Sequence, residues 1–244
     1  MIDIAYSKFS QPTAKHLEEQ GLTIVRSQTV PVVANWGRRT ANSILNKDTS
    51  LSSDKLQMRI AFHQHGVSVP SYLTFGQAYD SLKNNEGKIF VARSTRHTQG
   101  KGLYIIKNTN DLRKALTNRR RPATMIMEWV DKTDEYRVHV FKGKVIRISR
   151  KGYEDGTVIG GYMTMKPHPD MPRDELRRQA KLAIEATKLD FGAVDIMVRH
   201  GDNWSIEELW VTEVNSSPGL GGSMPKLYAD KIKEFRDGQT EDTA

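Results

Sequence analysis

The pattern of apolar and polar positions begins with two short apolar runs, Leu22–Val25 and Val30–Val33. They predict brief strands, followed by a polar, turn-rich stretch from Asn35 to Ser50. That is too little for an independent domain. From Ser52 the period changes. Ser52 or Ser53 is suited to cap a helix whose stripe is Leu56, Met58, Ile60 and Ala61 and which stops at Gly66, and Pro70 begins an extended segment. A helical stretch over 76–83 leads to a strand at Lys88–Arg93, a polar glycine loop at Ser94–Gly102 and a strand at Leu103–Ile106. A helix at Asp111–Thr117, capped by Thr109 or Asn110, and a strand at Ala123–Val130 follow. Tyr136–Phe141 and Lys144–Ser149 flank Lys142-Gly143, which reads as a hairpin. Pro172–Lys188 is the clearest helix, with Pro172 and two acids opening it and Leu176, Ala180, Ala183, Ile184 and Thr187 on one face. Gly192–Val198 and Ser205–Val214 read as strands around a Gly201-Asp202-Asn203 turn, and residues from Asp237 onwards as a flexible polar tail. This order predicts an α+β chain with mostly antiparallel pairing and no repeated βαβ units.

Composition narrows the chemistry. The chain has 244 residues, 37% of them apolar, enough for one domain or two closely packed subdomains. No run approaches the roughly 18 apolar residues of a membrane span and no secretory pattern opens the chain, so the expectation is a cytoplasmic protein with no membrane partner. The absence of cysteine excludes disulfides, thiolate zinc and cysteine nucleophiles, leaving hard cations on oxygen ligands as the metals to expect. The formal charge of +8 is compatible with nucleotides, acidic peptides or nucleic acid. Nucleic acid is not favoured, because the clusters Arg38-Arg39, Arg119-Arg120-Arg121 and Arg177-Arg178 are separate and no aromatic-interleaved strand joins them.

The chemistry concentrates near the C-terminus. Strand alternation points Glu213 and Asn215 the same way, and the turn at 201–203 folds that strand back towards Asp195. Two carboxylates and an amide oxygen on one face suit a magnesium ion on nucleotide phosphates; the alternative is that Asp195 serves an arginine and Glu213 faces solvent. Ser216-Ser217-Pro218-Gly219 follows as a turn with backbone N–H groups available to an oxyanion. On the basic side, Arg93 ends a strand and the 94–102 loop carries Lys101 and Gly102; such a loop closes over phosphates or merely joins strands. Met127-Glu128-Trp129-Val130 is an apolar strand edge able to meet an adenine, or a core strand with a capping acid. Arg137 and Lys151 are placed to offset phosphoryl charge, or to form ion pairs.

In this order the segments resemble the ATP-grasp superfamily, most specifically Glu213-Val214-Asn215-Ser216-Ser217-Pro218-Gly219-Leu220, which is similar to the metal-binding strand and turn of RimK-like glutamate ligases and D-alanine–D-alanine ligases. Ser53-Asp54-Lys55, Gly66–Pro70, Met127–Val130 and Asp134-Glu135-Tyr136-Arg137 resemble further family segments, so the likeness covers roughly residues 35–227. The resemblance implies two α+β subdomains clasping ATP: a truncated N-terminal region over 1–50, an N-subdomain over 51–131 with its phosphate lid at 94–102, a C-subdomain with the metal site over 132–236, and a tail over 237–244. It implies phosphate contacts from Lys55, Arg93, Lys101 and Gly102, adenine contacts from Glu128, Trp129 and Val130, and a ribose contact from Glu135. It implies Mg²⁺ or Mn²⁺ on Asp195, Glu213 and Asn215, with Arg137 and Lys151 neutralising the transferred phosphoryl group. Arg93 stands where lysine is more usual, which changes the contact geometry. The short N-terminal region favours a homodimer or a partner subunit completing the substrate pocket.

The implied reaction is ATP-dependent ligation of a carboxylate to an amine through an acyl phosphate, forming ADP, with an amino acid, peptide or protein as substrate. A phosphotransferase on the same fold and a non-catalytic nucleotide- or nucleic-acid-binding module are the alternatives that the sequence leaves open.

Overall fold

The computed structural model describes residues 2–26, 30–37, 42–84, 87–94, 102–151, 153–154, 157–158, 164–165 and 168–241. Three sheets carry the architecture. The first is wholly parallel, with strand order β2-β1-β3-β4 built from β1 (Ile2–Tyr6), β2 (Ile24–Val25), β3 (Val32–Trp36) and β4 (Ser43–Leu45). Antiparallel pairing therefore does not extend to this end of the chain, and β1 and β4 join the two expected strands. Helix α1 (Gln11–Glu18) crosses from β1 to β2. Asp3 stitches the sheet locally, its Oδ2 accepting from the Thr23 backbone N–H at 2.8 Å and the Thr23 hydroxyl at 2.9 Å. The layer is not free-standing. Trp36 stacks on Phe191 and meets Tyr228 edge-on, and Ile4, Leu17 and Leu45 share one core with Phe141, Phe191 and Ile232.

Helices α2 (Ser50–Ser53) and α3 (Lys55–Gln64) follow. The cap of α3 is Asp54, whose Oδ1 accepts from the N–H groups of Leu56 and Gln57, so neither Ser52 nor Ser53 performs that task. The helix buries Met58, Ala61 and Phe62, while Ile60 is 43% exposed, so the expected stripe is turned by part of a helical rotation.

The second sheet, order β5-β8-β6-β7, is antiparallel: β5 (Tyr72–Leu73), β6 (Phe90–Arg93), β7 (Leu103–Ile106) and β8 (Met125–Glu128). Helices α4 (Phe75–Lys83) and α5 (Thr109–Thr117) accompany it, capped by a Thr74/Gln77 capping box and by Asn108 respectively. Ala92, Ile106, Leu112, Ala115 and Ile126 form its separate core.

The third sheet has the order β13-β10-β9-β14-β15. It comprises β9 (Asp134–Phe141), β10 (Lys144–Lys151), β13 (Thr164–Met165), β14 (Phe191–His200) and β15 (Ile206–Asn215); β11 (Tyr153–Glu154) and β12 (Thr157–Val158) make a small hairpin beside it. The predicted Lys142-Gly143 turn has φ of 46° and 70°, the positive values a two-residue hairpin requires. Tyr136, Val138, Val194, Ile196 and Val198 point to one face, where α6 (Asp174–Ala186) covers them with Leu176, Ala180, Ala183 and Ile184. Gly192 is required by close approach, since a Cβ there would lie 2.9 Å from the Asn215 carbonyl oxygen. Finally α7 (Met224–Glu241) packs across the first sheet, and it runs through 237–241, residues that the sequence suggested as a tail. Among the described residues no helix is long and apolar enough to cross a membrane.

Candidate functional site

The polar face of the third sheet is built by strand register. Asp195 sits directly opposite Arg137 on one side and Glu213 on the other, so three adjacent strands present charged groups in one row. Thr212 is accommodated by a register shift between the Asp195 and Ile196 pairs, which lets β15 keep Glu213 and Asn215 on this face while Val211 and Val214 remain buried. Asn215 Nδ2 lies 3.5 Å from Asp195 Oδ2 and 3.3 Å from Glu213 Oε1. The three oxygen-bearing groups foreseen from the sequence do converge.

Each carboxylate meets a cation. Arg137 grips Asp195 with both prongs, Nε to Oδ1 and Nη2 to Oδ2 at 2.7 Å each, and both side chains are almost fully buried. The reading of Asp195 as an arginine's partner is therefore also correct. Lys151 lies 3.5 Å from Asp195 Oδ2 and donates to Glu135 Oε2 at 2.8 Å. Burial by itself would lower the Lys151 pKa, but Asp195 and Glu135 outweigh it and raise the value, so the ammonium stays charged. Burial likewise opposes ionisation of Glu135, yet Lys151 and Lys132 hold its carboxyl below the usual range. Lys55 bonds Glu213 across the cleft; its attraction overrides burial and the nearby Asp195 charge, leaving Glu213 with a lowered pKa.

Further along the face, His139 Nδ1 is 3.0 Å from the Tyr228 hydroxyl, which reaches the Gly192 carbonyl at 3.3 Å. Burial, aided by Arg137 and Arg147, pushes the His139 pKa from 6.5 down to about 3, so this imidazole is neutral.

The second sheet supplies the opposing wall. Arg93 ends β6, half-buried, its pKa lowered by burial against the attraction of Glu213. Of the adenine-edge segment, the Glu128 N–H donates to the Ser71 carbonyl at 3.1 Å and the Trp129 N–H to Ile89 at 2.9 Å, while the Trp129 side chain is 45% exposed. Val130 is the next residue along this edge, partly exposed, and its carbonyl accepts from Lys132. Gly102, at φ 74°, closes the glycine loop by accepting from Ser94 N–H at 3.3 Å; Lys101 and the lid residues 95–100 lie outside the described residues.

Solved structures share this fold. D-alanine–D-alanine ligase from Bacillus anthracis superposes with a TM-score of 0.66 at 15% identity, covering 99% of this chain and 100% of that one. The ATP-grasp ligase PsnB, complexed with minimal precursor, Mg and ADP, gives 0.65 at 14% identity over 96% of each chain. N5-carboxyaminoimidazole synthetase from Staphylococcus aureus complexed with ADP gives 0.67 at 12%, over 89% of this chain and 70% of that one. The chain has the ATP-grasp fold. No known protein family and no curated protein matches the sequence, so the likeness is one of fold.

The ATP-grasp cleft contains one residue that sequence reasoning passed over. Arg59, one turn beyond Lys55 on α3, is 7% exposed with Nη1 lacking a hydrogen-bond partner among the described residues. Burial first, then repulsion from Arg93, pushes its pKa down to about 10. A lone arginine in a helical pattern reads as a solvated position, and the only available signal was its i+4 spacing from Lys55.

Proposed function

We propose that this protein is an ATP-dependent ligase that joins a carboxylate to an amine through an acyl phosphate, releasing ADP. The observation that carries the reading is the row Arg137–Asp195–Glu213 with Asn215, lying across three strands and facing Lys55 and Arg93. Support comes from the solved ATP-grasp structures named with ATP, ADP or Mg. The division into an N-subdomain over 51–131 and a C-subdomain over 132–236 frames the cleft, and an amino acid, peptide or protein is the substrate class we assign.

The donor set fits a hard divalent cation. Glu213 and Asn215 stand two residues apart on the open side of the row, and an amide rotation turns the Asn215 oxygen towards Glu213. Asp195 would complete the set through Oδ2, which accepts from Arg137 Nη2 at 2.7 Å and would bind the metal through its remaining lone pair. A bound Mg²⁺ would neutralise triphosphate charge. Glu213 would then exchange Lys55 for the metal, freeing the ammonium for phosphate oxygens.

In the reaction, a substrate carboxylate oxygen bonds to the γ-phosphorus as the bond from that phosphorus to the β-bridging oxygen breaks and ADP leaves. The amine nitrogen then bonds to the acyl carbon, the carbon–oxygen bond to phosphate breaks, and inorganic phosphate departs. In this reading Arg137 and Lys151 offset the charge on the transferring phosphoryl group; their bonds to Asp195 and Glu135 fix them in place, which keeps reorganisation small. Lys55 and Arg93 grip phosphates, and the Glu128–Val130 edge with Glu135 receives the nucleoside. No side-chain nucleophile takes part; catalysis is positioning and electrostatics.

The test is ADP release with Mg-ATP and a panel of amino acids and peptides, repeated with Asp195→Asn and Glu213→Gln. Amine-dependent phosphate release that both substitutions abolish supports the ligase. Phosphorylated substrate without amide product points to a phosphotransferase, and turnover unchanged in both variants overturns the site.

A further inference from the structure

Arg59 is an unusual guanidinium to bury. It has an N–H nitrogen without a hydrogen-bond partner among the described residues, and Arg93 repels it. The carboxylate that attracts it, Glu213, is already bonded to Lys55. Lys55, Arg59 and Arg93, from α3 and β6, thus share the attraction of Glu213, whose neighbour Asp195 is already gripped by Arg137. Arg59 also lines a cavity of about 690 Å³ whose other walls include Leu56, Ile60, Val69, Pro70 and Tyr72, with no carboxylate among its lining residues. A buried charge with an unmet donor is costly to the fold, and it persists without a penalty only when an anion arrives to complete it.

We propose that Arg59 binds a phosphoryl group of the nucleotide, acting with Arg93 as a paired guanidinium grip. The inference rests on the ATP reading above and adds a binding residue to it. A phosphoryl group suits the position better than a carboxylate. Two guanidiniums and an ammonium that share the attraction of Glu213 accommodate more than one further negative charge, and planar guanidinium forks match phosphate oxygens in bidentate fashion. Because the grip comes from α3 as well as β6, phosphate binding would tie the helix to the second sheet.

The experiment is calorimetric titration of the full chain with Mg-ATP, inorganic tripolyphosphate and adenosine, comparing wild type with Arg59→Met and Arg59→Lys, alongside thermal midpoints of the unliganded proteins. Arg59→Met is expected to weaken ATP and tripolyphosphate by roughly tenfold or more, about 1.4 kcal/mol. It should leave adenosine affinity unaltered and raise the unliganded midpoint, since an uncompensated charge is gone. Arg59→Lys should retain part of the affinity and serves if the methionine variant does not fold. ATP and tripolyphosphate affinities within twofold of wild type in either variant, or a lowered midpoint with binding intact, overturn the proposal. Wild type that binds tripolyphosphate in an Arg59-dependent way but shows no gain for ATP removes the nucleotide reading and keeps the oxyanion site. Wild type that binds neither removes both.

Discussion

Replacing Arg137 by methionine should be among the most damaging single changes in the chain. The guanidinium makes two 2.7 Å bonds to Asp195, and the two side chains are only 3% and 7% exposed. Once it is removed, Asp195 retains Lys151 and Asn215 as its side-chain neighbours, each at 3.5 Å from the same oxygen, and Oδ1 loses its partner. A buried carboxylate left in that state costs about 3–5 kcal/mol. For a chain of this size that corresponds to a fall in thermal midpoint of roughly 6–20 °C. Asp195→Leu should also be costly, because it removes the carboxylate that the buried Arg137 grips with two bonds. The double variant Arg137→Met/Asp195→Leu removes both charges and should recover to within about 2 kcal/mol of wild type, because a well-packed apolar pair is often as stable as the ion pair it replaces. Urea unfolding of the four proteins, followed by circular dichroism, gives the coupling energy directly. Single variants that each lose less than about 1 kcal/mol, or costs that simply add in the double variant, would refute the argument that this pair is buried and mutually dependent.

Three further outcomes follow from the same geometry. His139 stays neutral in the folded protein down to about pH 3, while the unfolded chain takes up its proton near 6.5. Between those values the unfolded state binds more protons, so stability falls as pH drops, by at most about 5 kcal/mol from this residue. Unfolding curves from pH 7 to 4 should show His139→Gln losing less stability than wild type over that window. Asn46→Ala should cost roughly 2–4 kcal/mol, measured by denaturant titration, because its Oδ1 accepts from the N–H groups of Asp190 and Phe191 and its Nδ2 donates to the Phe191 carbonyl. Lys151→Met should reduce turnover more than it raises the KM for ATP if the ammonium acts on transferring charge; steady-state kinetics giving the reverse split would place Lys151 in ground-state binding instead.

The legibility of the molecule in its sequence followed the range of its interactions. The 142–143 turn, the Leu176–Ile184 stripe and the shared face of Glu213 and Asn215 depend on neighbours a few positions away, and all three are found as read. Converging Asp195 with that face needed only a hairpin. The N-terminal sheet was less legible because its partners pair in parallel, β1 with β2 by way of α1, and because Asn46 adopts φ 53° to bond residues 144 and 145 positions downstream. Helix α7 mixes charged and apolar positions, and what makes it a helix is the core it shares with Trp36 and Phe191. Arg59 was hidden for a related reason: a cation is marked as buried only by what surrounds it.

The joining of β1 to α7 has a consequence for how the fold opens. Arg236 near the end of α7 bonds Asp3 in β1 at 2.9 Å, Lys233 donates to the Gln20 carbonyl at 2.7 Å, and the cluster around Trp36 is closed by Tyr228. The strands of the first sheet therefore cannot bury all of their apolar surface unless α7 lies on them. Detachment of the helix would uncover Ile4, Ala34 and Trp36 together, so sheet and helix should open as one cooperative unit with shared amide-exchange protection.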